Sequence, residues 1–136
     1  MQSSFLTGEF RHTLDDRSRV AVPVRFRQRL SQGATLARWL DNCLGLFPQD
    51  AWDELAGKLS ALPLTNTSAR QFARFMSSGA VEVELDKQGR ILVPGYLREY
   101  AGLSYIKDRS GPFLIRAVYQ GTDGQKRYIV LKAEET

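Results

Sequence analysis

GAVEVELDKQGRILVPGYLR, residues 79–98, decides the reading of this chain, because an altered copy, GEFRHTLDDRSRVAVPVRFR, already stands at residues 8–27. The two align without a gap at an offset of 71 (86 − 15, 90 − 19, 94 − 23, 98 − 27), placing Asp86 on Asp15, Arg90 on Arg19, Pro94 on Pro23 and Arg98 on Arg27. Gly8 and Gly79, Leu14 and Leu85, and Val22 and Val93 also match, while Val20/Ile91 and Phe26/Leu97 exchange one apolar residue for another. Strand, turn, strand is a common pattern, but the same Asp-x-x-x-Arg-x-x-x-Pro spacing twice points to a duplicated unit. Within 136 residues neither copy is large enough to fold comfortably alone, so the halves are expected to share one core.

Working outward, Phe10, His12 and Leu14 alternate with Glu9, Arg11 and Thr13, the period of a strand with one buried face. Asp15, Asp16, Arg17 and Ser18 read as a turn, and residues 19–22 as a returning strand that Pro23 ends, having no N–H to donate. A short helix is expected over residues 24–30, with Arg25, Arg27 and Arg29 towards its exposed side. Residues 34–40 and 43–47 are apolar runs joined by Asp41-Asn42, a pair suited to a tight hairpin. In the second copy Val81, Val83 and Leu85 alternate with acidic residues. Lys87-Gln88-Gly89 turns, residues 91–93 return, and Pro94 opens a helix that stops at Gly102. Gly89 takes a positive backbone angle without a Cβ clash; Ser18 stands at that place in the first copy, so that turn is either built differently or strained.

Between the copies the period becomes helical. Trp52, Leu55, Leu59 and Leu62 form one stripe, and Ala69, Phe72, Ala73 and Met76 a second, with Thr65 or Thr67 as the expected cap of the second helix. A helical connector packed on the β core is the expectation.

Composition narrows the function. A net charge of +4 is modest, yet residues 11–29 alone carry six arginines against Asp15 and Asp16, the same +4, which suits a polyanion. No segment approaches the roughly 18 apolar residues of a membrane span, and a cytoplasmic protein without membrane attachment is expected. One cysteine, Cys43, excludes an intrachain disulfide, and with a single histidine, His12, it cannot build a zinc site. Cys43 lies in an apolar string and reads as a small buried hydrophobe. No nucleophile and base pair or phosphate loop is supported, so no catalytic residues, cofactor or small-molecule substrate are expected.

The chain resembles the MraZ family of transcriptional regulators associated with bacterial division and cell-wall gene clusters. The resemblance rests on Gly8-Glu9-Phe10, His12-Thr13-Leu14-Asp15, Leu40-Asp41, Cys43-Leu44, Pro48, Trp52, Leu62-Pro63-Leu64-Thr65, Phe75 and Ser78-Gly79-Ala80, then residues 85–94 and 97–103. It implies an α+β fold of two SpoVT/AbrB-like swapped-hairpin repeats forming a pseudo-twofold, β-barrel-like core, with repeats at 5–47 and 79–136 and the helical connector at 48–78. It further implies sequence-specific binding of repeated short sites in promoter DNA by a nucleoid-associated, ring-like homo-oligomer. After Leu103 the pattern departs from the family's closing strand, strand and helix. Residues 113–119 and 128–131 offer only apolar runs around Gly121-Thr122-Asp123-Gly124, compatible with a hairpin. Divergence of the tail and a reading-frame change near Leu103 are both open, and the other frames of the nucleotide sequence distinguish them.

Residue chemistry agrees with DNA as the partner. An arginine fork on a projecting turn can pair with a guanine edge or a phosphate, which suits Arg17 and Arg19. Arg11, Arg25, Arg27 and Arg29 are placed for phosphates, which position without reading sequence. Asp15 and Asp86 would repel phosphate, so their expected role is to orient the turn and its arginine. Lys87 and Arg90 repeat the arrangement among Glu82, Glu84 and Glu99, and on that charge the first repeat is expected to hold DNA and the second to be more structural. The alternative is an AbrB-like antidote or adaptor whose main partner is a protein.

Overall fold

The computed structural model describes residues 9–103, 105–108, 111–114, 116–121 and 129–133, with side chains over residues 14–103 and at 130 and 131. In the first half, β1 (Glu9–Thr13) and β2 (Arg19–Ala21) flank the Asp15 turn, and Pro23, extended at φ −52° and ψ 138°, hands the chain to α1 (Val24–Arg27). That helix is shorter than the expected 24–30 segment and gives way to turns through Gln32. β3 (Ala34–Trp39) and β4 (Cys43–Pro48) form a hairpin. Asp41 and Asn42 at its tip take φ of 60° and 57°, the positive pair of a primed turn, and the Cys43 amide donates to the Leu40 carbonyl.

The connector is two helices, α2 (Gln49–Ser60) and α3 (Thr67–Gly79). The cap of α3 is Asn66, whose side chain accepts from the Ala69 amide, rather than either neighbouring threonine. Both apolar stripes cover one side of the β3–β4 hairpin. Ala37, Phe47, Leu59 and Met76 are buried there, with Trp39, Trp52, Leu55, Leu62, Phe72 and Ala73 packed around them.

In the second half follow β5 (Val81–Val83), β6 (Arg90–Leu92) and α4 (Gly95–Ala101), which Gly102 ends in the left-handed region. Then come β7 (Tyr105–Asp108), β8 (Gly111–Leu114), β9 (Arg116–Gly121) and β10 (Ile129–Ala133). β9 and β10 pair antiparallel, as the tail's apolar runs suggested, while the turn between them lies outside the described residues.

Strand pairing joins the halves. The largest sheet runs β1-β9-β10-β4-β3-β5, so the first strand of each repeat lies beside strands of the other. The order is symmetric about the β10–β4 pair, where Ile129 faces Leu46, Val130 faces Gly45 and Leu131 faces Leu44. The registers extend this symmetry into the divergent tail. Glu9 faces Gln120 and Ala34 faces Val83, so residue 80, the equivalent of residue 9, would face residue 37 (34 + 83 − 80). Residue 120 therefore stands where residue 37 stands in the first half, a shift of 83 instead of 71. The twelve residues of difference fall where β7 and β8 form a separate two-stranded hairpin.

The second junction is the β2–β6 ribbon, in which Arg19 faces Leu92, Val20 faces Ile91 and Ala21 faces Arg90. Val20 and Ile91 are themselves equivalent under the 71-residue shift, so the ribbon is symmetric about their pair. Their buried side chains lie in one core with Leu14, Val22, Phe26, Leu44, Val93, Leu97 and Leu131. The shared core follows directly. The expected barrel does not: among the described residues the strands form one open six-stranded sheet and two two-stranded ones. Strands three residues long, each ended by a proline, cannot extend the ribbon far enough to close onto the larger sheet.

Candidate nucleic-acid interface

Each turn is built by its own carboxylate. In the first, Asp15 Oδ1 accepts from the Arg17 and Arg19 amides at 2.9 and 2.8 Å, and Arg19 Nε donates to Asp15 Oδ2 at 3.1 Å. In the second, Asp86 Oδ1 accepts from the Gln88 and Arg90 amides, both at 2.9 Å, and Arg90 Nε donates to Asp86 Oδ2 at 3.0 Å. The backbone repeats as closely. The Ser18 amide donates to the Asp15 carbonyl and the Gly89 amide to the Asp86 carbonyl, at 3.1 and 2.9 Å. The residue closing each turn is left-handed, Ser18 at φ 64° and Gly89 at φ 76°. The two turns are thus built alike, and Ser18 carries the strain that a glycine avoids.

Electrostatics keeps both carboxylates ionised. Burial alone would push Asp15 up, but the Arg19 and Arg17 amides and the Arg19 guanidinium outweigh it and hold its pKa below 3.8. For Asp86 the Arg90 amide is the main cause of a shift in the same direction. Each carboxylate therefore accepts and orients as an anion.

The turns flank the two ends of the ribbon and are stitched to the opposite repeat. The Val22 amide donates to the Gly89 carbonyl at 2.8 Å, and the Val93 amide to the Ser18 carbonyl at 2.9 Å. Arg90 Nη1 also lies 3.6 Å from Asp15 Oδ2, an ion pair between repeats. Because Val20 and Ile91 point into the core, Arg19, Ala21, Arg90 and Leu92 take the other face of the ribbon. Arg17, Lys87 and Gln88 are exposed at the tips.

The remaining arginines divide. Arg27 Nε donates to the Val22 carbonyl at 2.8 Å and Arg98 Nε to the Val93 carbonyl at 3.0 Å, equivalent positions again. The Arg27 guanidinium packs on Gly89 so closely that a Cβ there would lie 2.3 Å from Cζ and Nε. Arg27 is thus half-buried, with only its outer nitrogens left to meet a ligand. Arg29, expected on phosphate, instead forks onto Asp50 at 2.9 and 3.1 Å, and this contact lowers the pKa of Asp50. Arg25 is exposed. Arg11 has its backbone in β1 opposite Val118, and its side chain lies outside the described residues.

The acidic company expected around the second turn does not pair with its cations. Among the described residues Glu82, Glu84 and Glu99 make no ion pair with Lys87 or Arg90, and Glu84 lines a groove with Leu30, Gln32 and Gly33. Over its turn the first repeat carries Asp15, Asp16, Arg17 and Arg19, no net charge. The second carries Asp86, Lys87 and Arg90, +1. Gln88, a turn residue by its local sequence, aligns with Arg17 under the 71-residue shift, and that alignment is the sequence signal for a further role. Among the described residues no three potential metal ligands gather, and no helix is long and apolar enough to cross a membrane.

Fold and site together define a class: a duplicated α+β protein whose halves share a core and a ribbon carrying cations at both ends. Residues 5–75 and 76–109 match the family described as "MraZ protein, putative antitoxin-like". The chain is 52% identical over 96 residues to the transcriptional regulator MraZ of Moorella thermoacetica, covering 71% of this chain and 67% of that protein. It is 49% identical over 96 residues to that of Roseiflexus castenholzii and 53% identical over 96 residues to that of Desulfitobacterium hafniense, with the same coverage. The chain belongs to the MraZ family.

Proposed function

We propose that this protein is a sequence-specific, DNA-binding transcriptional regulator and that the β2–β6 ribbon with its two turns is its DNA face. The observation that carries the reading is the doubled Asp–Arg lock, which spends a carboxylate at each turn on fixing backbone and arginine while Arg17 and Lys87 project. A two-stranded ribbon fits the major groove. From Ser18 to the level of Gly89 the ribbon rises about 13 Å, taking 3.3 Å per residue over four steps. That is the rise of about four base pairs, so both turns reach one duplex within a single passage of the groove. Arg17, Arg19 and Arg90 take base edges or phosphates, and Lys87, Arg25, Arg27 and Arg11 take phosphates, with Asp15 and Asp86 as positioning residues.

The strand exchange supports a swapped-hairpin organisation, with repeats over 5–47 and 79–136 around the connector at 48–78. Among the described residues β1 and β5 are the outermost strands of the six-stranded sheet, and these edges with the exposed Val24, Leu40 and Leu64 favour association of copies, which we take to be a ring. The proposed target is the promoter of a division and cell-wall gene cluster, on repeated short sites, in the nucleoid of the cytoplasm. Relatives named transcriptional regulators support the reading. A band shift on that promoter tests it: Arg17→Ala with Arg19→Ala abolishes the shift while the oligomer persists on size exclusion, and unchanged binding removes the proposal. Capture of a protein partner by a chain that ignores DNA would favour the antidote reading instead.

A further inference from the structure

The ribbon is symmetric in backbone and asymmetric in chemistry. Under the 71-residue shift Arg17 corresponds to Gln88, Asp16 to Lys87 and Ala21 to Leu92. The Arg17 and Gln88 amides are held by equivalent oxygens at the same 2.9 Å, so each side chain leaves its turn from an equivalent point. Both side chains are exposed, and among the described residues neither makes a hydrogen bond or ion pair that would turn it away from a ligand. Arg19 and Arg90, by contrast, each commit Nε to a carboxylate. The free heads at the two ends of the ribbon are therefore a guanidinium fork and a carboxamide. In the major groove these choose different bases. Arginine donates twice to the O6 and N7 acceptors of guanine, whereas a glutamine amide donates to N7 and accepts from N6 of adenine.

We infer that the two turns specify different bases, Arg17 selecting guanine at one end of the ribbon and Gln88 selecting adenine at the other. The side chains on the ribbon face carry the same polarity. Leu92, 58% exposed and opposite Arg19, offers an apolar contact where the equivalent Ala21 offers a much smaller one.

This inference rests on the DNA-binding reading, and its test separates the two. Duplexes carrying a randomised segment are selected on the full chain and on Arg17→Gln and Gln88→Arg, and the retained sequences are compared. The unaltered chain is expected to retain a site with guanine at one end and adenine at the other. Gln88→Arg changes the adenine position alone to guanine, and Arg17→Gln changes the guanine position alone to adenine, each by about tenfold or more in relative affinity. Two variants guard against a folding defect in either one. Variants that bind but retain the unaltered consensus overturn the assignment of these residues and leave DNA binding standing. An unaltered chain that retains no duplex overturns the DNA reading itself.

Discussion

Ser18 and Gly89 are the same position of the same turn filled by different residues. A left-handed serine costs roughly 1–2 kcal/mol against its ordinary conformations, and Ser18 is held at φ 64° by the Asp15 and Val93 hydrogen bonds on either side. Ser18→Gly is expected to raise stability by about 0.5–1 kcal/mol, less than the full strain because glycine gains freedom in the unfolded chain. A urea titration reads this as a higher midpoint with an unchanged slope. The opposite change is asymmetric. Gly89→Ala meets both a positive φ and the Arg27 guanidinium, and is expected to cost about 2 kcal/mol or more. Equal and small effects at both positions would contradict the close packing of Arg27 on the second turn.

At the scale of the element, the ribbon owes its shape to two ionised carboxylates, so its stability should depend on acid. The sign follows from the direction of the shifts. The pKa values of Asp15 and Asp86 are held below 3.8 in the folded chain, so their contribution is fully present above the unfolded value and is lost as pH falls through the lowered one. Thermal midpoints measured from pH 6 down to pH 2 should fall below about pH 4. Asp15→Asn combined with Asp86→Asn should lower the midpoint at pH 6 and shrink the acid-dependent fall. Some fall should remain, because the pKa of Asp50 is lowered by Arg29 in the same way.

What the sequence made legible at this scale is local. Each Asp–Arg lock joins residues four positions apart, the prolines end their strands, and the Asp41-Asn42 turn lies within a hairpin, so spacing alone reveals them. The joining of the two turns into one ribbon was not legible. It depends on a register centred on residues 71 apart, held by burial of Val20 against Ile91 and by hydrogen bonds and an ion pair between the repeats. For the same reason Arg29 looked available for phosphate, since its partner Asp50 stands 21 residues away on α2.

At the scale of the whole molecule, the exchange of first strands makes the halves interdependent. β1 is held by β9 and β5 by β3, so a chain cut within the connector leaves each half without a strand its sheet uses. Light scattering of the purified chain is expected to report a discrete mass several times that of one chain, unchanged by Arg17→Ala. A monodisperse monomer would contradict the assembly.

On the proposed function both repeats meet DNA through one ribbon, and Lys87 tests this most directly, being exposed at the second turn and outside both locks. The measurement is the salt dependence of promoter binding by the unaltered chain and by Lys87→Ala. A lysine on phosphate contributes about 0.9 to the slope of log K against log salt, so Lys87→Ala is expected to give a slope shallower by about that amount for each second turn engaged. A slope unchanged by Lys87→Ala, alongside one reduced by Arg25→Ala, would contradict it and return the second repeat to a scaffold.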